Sequence, residues 1–206
     1  MQELTLEELN DRYVDVLREI GNIGSGNATT AIASMIGVRL HMSVPTVKLL
    51  EASKLGSAIC PEDEIIVGIF LEVNKDINGS MMFVLKLDSA KYLTNSLMMR
   101  DKHHEVQFDE MELSALKEVG NIIAASYLSA ISHLTNMVIA PSVPYLSIDM
   151  AASILSVPAI EFGQYGDHAL LIETQFGGEN EIQGYFILMP EQNSYVKILT
   201  ALGLTI

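Results

Sequence analysis

The sequence predicts an α+β protein with pseudo-twofold symmetry, in which duplicated α-β-β-β-α halves share one mainly antiparallel sheet under two long helices. Three observations lead there. A nine-residue stretch occurs twice, as Asp15 to Ile23 and as Ser114 to Ile122, and Glu19 and Glu118 stand 118 − 19 = 99 residues apart, as do Asn22 and Asn121. Such an internal repeat outranks any local signal in deciding the fold. Apolar residues recur at helical spacing through both copies. The strands that follow come in runs with short connections, which favours hairpins over parallel crossovers.

Each half opens on a long helix. Thr5-Leu6-Glu7-Glu8 fits a capping box, and Asp109-Glu110-Met111-Glu112 makes an equivalent acceptor-x-x-Glu start. The apolar stripe runs through Ile20, Ile23, Ala28 and Ile32 in one copy and through Val119, Ile122, Leu128 and Ile131 in the other. Gly37 and its counterpart Asn136 are both residue types that tolerate the left-handed conformation ending a helix.

A β-prone stretch follows each helix, at Val38 to Leu50 and Met137 to Ile148, and carries the repeated Ser43-Val44-Pro45 and Ser142-Val143-Pro144. Two more strands are expected per half, at about Glu64 to Val73 and Ile77 to Leu87, then at His168 to Phe176 and Ile182 to Met189. Ile77-Asn78-Gly79 aligns with Ile182-Gln183-Gly184 at an offset of 182 − 77 = 105, so the second half holds 105 − 99 = 6 extra residues, expected within Ala151 to Asp167. Asp88-Ser89 and Asn193-Ser194 are expected to cap the closing helices. No Pro/Gly/Ser-rich linker separates the repeats, about 5–104 and 105–206, so residues 1–206 are expected to form a single domain.

Composition narrows the function. A formal charge of −14 with 12 Lys and Arg supplies no footprint for nucleic acid or anionic lipid. Cys60 is the only cysteine, so no intrachain disulfide can form. The acidic start lacks the features of a signal peptide, and the apolar run Ile65 to Leu71 is too short for membrane insertion. A cytoplasmic location is expected.

On a helix, positions i, i+4 and i+7 fall within roughly 60° of one another. Asp15, Glu19 and Asn22 therefore share a face, as do Ser114, Glu118 and Asn121. A Glu and an Asn on one helix are ordinarily just its solvated side. Helix surfaces drift after duplication, as Asn27 and Ser126 have, yet Glu and Asn match in both copies. Gly21, Gly24 and Gly26 within one helix suggest a face that another macromolecule approaches closely. The stripes hold no Ser or Cys nucleophile beside a His base and no metal-ligand cluster. An Asn amide can hold a water through its carbonyl and its NH2, and aligning the attacking water contributes to phosphoryl transfer.

With Pro45 and Pro144 the pattern becomes Asp/Ser-x3-Glu-x2-Asn-x22-Pro, matched in full by both copies. It resembles that of the CheC/CheX/FliY chemotaxis phosphatases, and the duplication over nearly the whole chain is similar to the CheC type. The resemblance implies a protein-aspartyl-phosphate phosphatase of phosphorylated CheY, with no covalent enzyme intermediate. It implies that Asn22 and Asn121 position the hydrolytic water, and that Glu19 and Glu118 dock the regulator by pairing with a lysine. Asp15, Ser114, Pro45 and Pro144 would be supporting residues. No cofactor of its own is implied, the Mg2+ belonging to the regulator. CheD, the receptor deamidase, is a further partner, implied at the segment Ser147 to Met150 around Asp149. The alternative is a non-catalytic adaptor of the same fold that binds CheD or the flagellar switch.

Two other signals are weaker. Gly21-Asn22-Ile23-Gly24-Ser25-Gly26 resembles a phosphate loop, but its spacing reverses the dinucleotide pattern and no strand precedes it. His103-His104-Glu105 reads as a solvated turn, Cys60 as a half-buried small residue, and the eleven Met residues as core filler with some on an adaptable contact surface.

Overall fold

The computed structural model describes residues 6–37, 40–42, 46–51, 55–101, 103–162, 168–177 and 182–203. The first half runs α1 (Leu6–Ile36), β1 (His41–Met42), β2 (Thr46–Glu51), α2 (Leu55–Ile59), β3 (Ile65–Lys75), β4 (Gly79–Lys86) and α3 (Leu87–Leu97). The second runs α4 (Glu110–Thr135), β5 (Ile139–Pro141), β6 (Tyr145–Met150), α5 (Ala151–Phe162), β7 (His168–Gly177), β8 (Ile182–Pro190) and α6 (Gln192–Ala201). The α+β class, the antiparallel sheet and the two long helices agree with the sequence reading. The structure adds two features. A helix, α2 or α5, stands before the hairpin, and in the second half the strand after the long helix is divided into β5 and β6. Proline cannot donate to a ladder, so Ser142-Val143-Pro144 separates β5 from β6, both of which pair with β3. Ser142 bridges the gap, its backbone N–H donating to the Glu72 carbonyl and its hydroxyl accepting from the Glu72 N–H, both at 2.9 Å.

Helix ends follow from local chemistry. Asp109 accepts from the Glu112 N–H at 2.9 Å, and Glu112 accepts in return from the Asp109 N–H at 3.0 Å. Asn136 ends α4 at φ 57 and Gly37 follows α1 at φ 67, as their residue types predict. Thr5, half of the other expected capping box, lies outside the described residues. The closing helices are a correction. Lys86 and Glu191 stand at the cap positions of α3 and α6 without a side-chain bond. Ser89 instead accepts from the Gln183 N–H at 3.2 Å, and Ser194 from the Asn78 N–H at 2.7 Å. Each serine thus caps a strand start of the opposite half.

The sheet has the order β1-β7-β8-β4-β3-β5, with β2 also on β7 and β6 also on β3. β4 and β8 pair antiparallel at the centre, and Met82 faces Ile187. Since 187 − 82 = 105 is the repeat offset, the pseudo-twofold axis passes through that pair. The outer pairings exchange partners: β2 of the first half lies on β7 of the second, and β6 of the second on β3 of the first.

Central strands are buried on both faces, which explains their nearly continuous apolar runs. One face carries Val67, Ile69, Phe83, Phe186 and Leu188 against α1, α3, α4 and α6. The other carries Ile66, Met82, Val84, Leu171 and Ile187 against α2 and α5. The six residues added in the second half fall where α5, at 12 residues, replaces the 5-residue α2.

Candidate functional site

α1 and α4 pack against each other on one face of the sheet. Their contact explains Gly24. It is buried, and a Cβ there would collide with the Tyr127 ring of α4. At the symmetry-related position the sizes are exchanged, with Ala28 on α1 and Ile123 on α4, both buried. Tyr127 in turn stacks on Phe186, centroids 3.9 Å apart. Close approach at Gly24 is therefore internal, which corrects the expectation that these glycines all admit another macromolecule. Gly26 fits it better: it is half-buried and open space surrounds its Cβ position.

The face turned away from this contact bears the repeated polar residues. Asp15, Glu19, Ser114 and Glu118 are exposed, and Asn22 and Asn121 are half-buried. The residues between them anchor the helices inward: Ile20 and Val119 are 1% and 0% exposed, and Gly21 and Gly120 are buried. Alternation between buried and exposed positions over three residues fixes the rotation of each helix, so both Glu/Asn pairs must face solvent. Asp15 is held by Arg18 at 2.7 Å, an exposed pair of small energetic weight that the sequence reading did not notice. Ser114 has no such cation three residues on in an ion pair among the described residues; the residue there is Lys117.

Pro144 sits in the connection between β5 and β6, strands that contact α4. Pro45 lies outside the described residues. The glycine-rich stretch Gly21 to Gly26 is continuous helix within α1, so its backbone N–H groups bond along the helix and form no phosphate loop. His103 and His104 are exposed on a turn, and no group of three metal-ligating side chains occurs among the described residues. No helix among them is long and apolar enough to cross a membrane.

Two concave surfaces lie beside the repeated elements. One, of about 770 Å³, adjoins Ser114 and Glu118 and is lined by Met35 of α1, Met98 at the C-terminal cap of α3 and Met111 of α4. The other, of about 800 Å³, lies on the opposite face of the sheet along the β6 edge, where Tyr145, Ser147 and the exposed Asp149 line it with Val157 of α5. Cys60 is half-buried on that second face, and burial, with the Glu64 charge, pushes its thiol above the ordinary value.

The CheC-like family model matches residues 14–49 and 111–148, the two helices with the strand segments after them. A Bacillus subtilis (strain 168) protein named CheY-P phosphatase CheC is 33% identical over 200 residues, covering 95% of this chain and 96% of that one. The chain belongs to the CheC-like family. Thermotoga maritima FliY has the same fold, with a TM-score of 0.74 at 23% identity over 98% of each chain. A chain of the CheX–CheY–BeF3–Mg2+ complex from Borrelia burgdorferi shares it at 15% identity and a TM-score of 0.53, over 83% of this chain and 97% of that one. Each segment matched by the CheC-like model contains one of the Glu/Asn pairs.

Proposed function

We propose that the protein hydrolyses the aspartyl phosphate of phosphorylated CheY. The observation that carries the reading is the presence of two solvent-facing Glu/Asn pairs on equivalent helices of a CheC-like chain. In this reading Asn22 or Asn121 enters the regulator's phosphorylated site and holds one water in line with the phosphorus. The water's oxygen bonds to phosphorus, the bond to the aspartyl oxygen breaks, and phosphate leaves with the regulator's carboxylate restored. The protein forms no covalent bond in this reading: the Glu/Asn pairs offer a carboxylate and an amide, and the Ser114 hydroxyl has no His base on its stripe. Charge neutralisation during the transfer comes from the Mg2+ of the regulator. Glu19 and Glu118 pair with a cation of the regulator and fix the approach.

Support comes from the Bacillus subtilis relative, named a CheY-P phosphatase, and from a chain of this fold in a complex with CheY. A purely adaptor role would leave two repeated Glu/Asn pairs without work. The test is the decay of phosphorylated CheY with Mg2+, with and without substoichiometric protein. Decay that quickens with each increment of protein is expected, and decay unchanged by it refutes the reading.

Binding of CheD belongs to the same proposal and is placed at Asp149. That side chain is exposed on β6, at the sheet margin among the described strands, beside the concave surface under α5. Asp149→Ala should weaken CheD binding measured by calorimetry and leave the decay of phosphorylated CheY unchanged. Undiminished CheD affinity would remove Asp149 from the contact.

A further inference from the structure

The methionines around the second site form a surface that the phosphatase reading alone does not use. Met35 at the end of α1, Leu97 and Met98 at the end of α3, and Met111 of α4 line the groove of about 770 Å³ whose remaining walls include Ser114 and Glu118. Met111 is 69% exposed, and Met99, directly after Met98, is 92% exposed. Met99 is also held at φ 54, in the left-handed region that favours glycine or asparagine. Backbone bonds from Met99 to Ser96 and from Arg100 to Asn95, at 3.2 and 2.9 Å, lock it there. The chain thus holds, next to the groove residue Met98, a left-handed position with an apolar side chain that is almost wholly exposed.

Continuity says what does cover it. Ser114 and Glu118 belong both to the groove wall and to the catalytic stripe, so a protein seated at Glu118 with its phosphorylated site at Asn121 meets the groove lined by Met35, Met98 and Met111 in the same contact. The repeat supplies an internal comparison. Met111 corresponds to Arg12 (111 − 12 = 99), and Met98 corresponds to Gly203 (203 − 98 = 105). In sequence, the two thioethers of the second site thus correspond to an arginine and a glycine in the first copy's register.

We propose that this groove is a docking ledge for the phosphorylated response regulator that belongs to the Asn121 site only. It takes an apolar side chain of the regulator next to the cation that Glu118 pairs with, and so gives the Asn121 site the higher affinity of the two. Methionine suits the task, because its unbranched, polarizable chain repacks around an incoming group. The acidic rim of Glu110 and Glu118 restricts the fit to a neutral or basic surface. The inference rests on the phosphatase reading above.

The test follows phosphorylated CheY decay over a substrate series in two backgrounds. Asn22→Ala leaves the second site working, and Asn121→Ala leaves the first. Adding Met98→Ser and Met111→Ser should raise KM roughly 5- to 10-fold in the Asn22→Ala background with kcat unchanged. The same pair should change nothing in the Asn121→Ala background. Equal effects in both backgrounds, or none in the former, overturn the ledge and leave the phosphatase reading standing. Wild-type protein that fails to speed decay overturns both. Sedimentation velocity provides a second readout: a change of oligomeric state on substitution would assign the groove to a second copy of the chain and overturn the proposal. If the pair lowers the melting temperature, Met111→Ser alone, at a mostly exposed position, repeats the comparison.

Discussion

Glu19 and Glu118 stand in water on helices whose adjacent residues, Ile20 and Val119, are buried. Their replacement therefore disturbs no core, and any effect reports on a partner. Glu19→Lys with Glu118→Lys reverses the charge offered to a cation of the regulator. The pair should raise KM for phosphorylated CheY at least about tenfold, the scale of a lost charged contact at an interface, and leave the melting temperature unchanged. Unchanged KM would remove the docking role. These residues were legible in the sequence because duplication repeats function while surfaces drift. Asp15 and Ser114 were legible only as positions: that Asp15 pairs with Arg18 depends on side-chain geometry at i and i+3, which offers many competing partners on an exposed helix. Ser89 and Ser194 misled for a related reason. A serine near a helix start is the usual cap, but here each hydroxyl meets a backbone N–H of the other half, more than ninety residues away in Gln183 (183 − 89 = 94) for one of them.

At the scale of elements, the α1–α4 contact decides what the glycines do. Glycine inside a helix costs about 1 kcal/mol relative to alanine, so a neutral environment would reward replacement. Gly24→Ala meets the Tyr127 ring, and overpacking of about 1–3 kcal/mol outweighs that gain. Gly26→Ala meets nothing, and its counterpart in α4 is already Ala125. Thermal melts should show Gly24→Ala below wild type and Gly26→Ala equal to or above it; the reverse order would mean the helices can separate freely. If Gly26→Ala is more stable yet slower with phosphorylated CheY, that glycine serves partner approach. The two long helices and their C-terminal ends were readable from periodicity and from Gly37 and Asn136, because helix signals are local. The helices α2 and α5 were not, since Leu55–Ile59 is shorter than two turns and Ala151–Phe162 is apolar on most sides, leaving no 3.6-residue contrast to detect.

Over the whole molecule, the halves are interleaved by pairing β2 with β7 and β6 with β3, and by the Ser89 and Ser194 bonds. Neither half holds its outer strand without the other. Urea denaturation followed by far-ultraviolet dichroism and by tyrosine fluorescence should give one coincident transition. Two separated transitions would mean independently stable repeats. The repeat offset announced the pseudo-twofold relation, but the exchange of edge strands was beyond sequence reasoning, because β2 reads the same whether it pairs within its half or across the axis. Interleaving also holds α1 and α4 in one rigid pair, which keeps both Glu/Asn faces outward at once. The central claim is that Asn22 and Asn121 supply the chemistry while the acids supply the contact. It is tested most directly by the rate of phosphate release from phosphorylated CheY at saturating concentration with the Asn22→Ala, Asn121→Ala double variant. Loss of one positioning group costs on the order of 10²-fold at its site, so each single variant should keep part of the activity. The double variant should fall at least 10²-fold below wild type while still binding BeF3-treated CheY. A double variant that binds and hydrolyses at the wild-type rate would contradict the account.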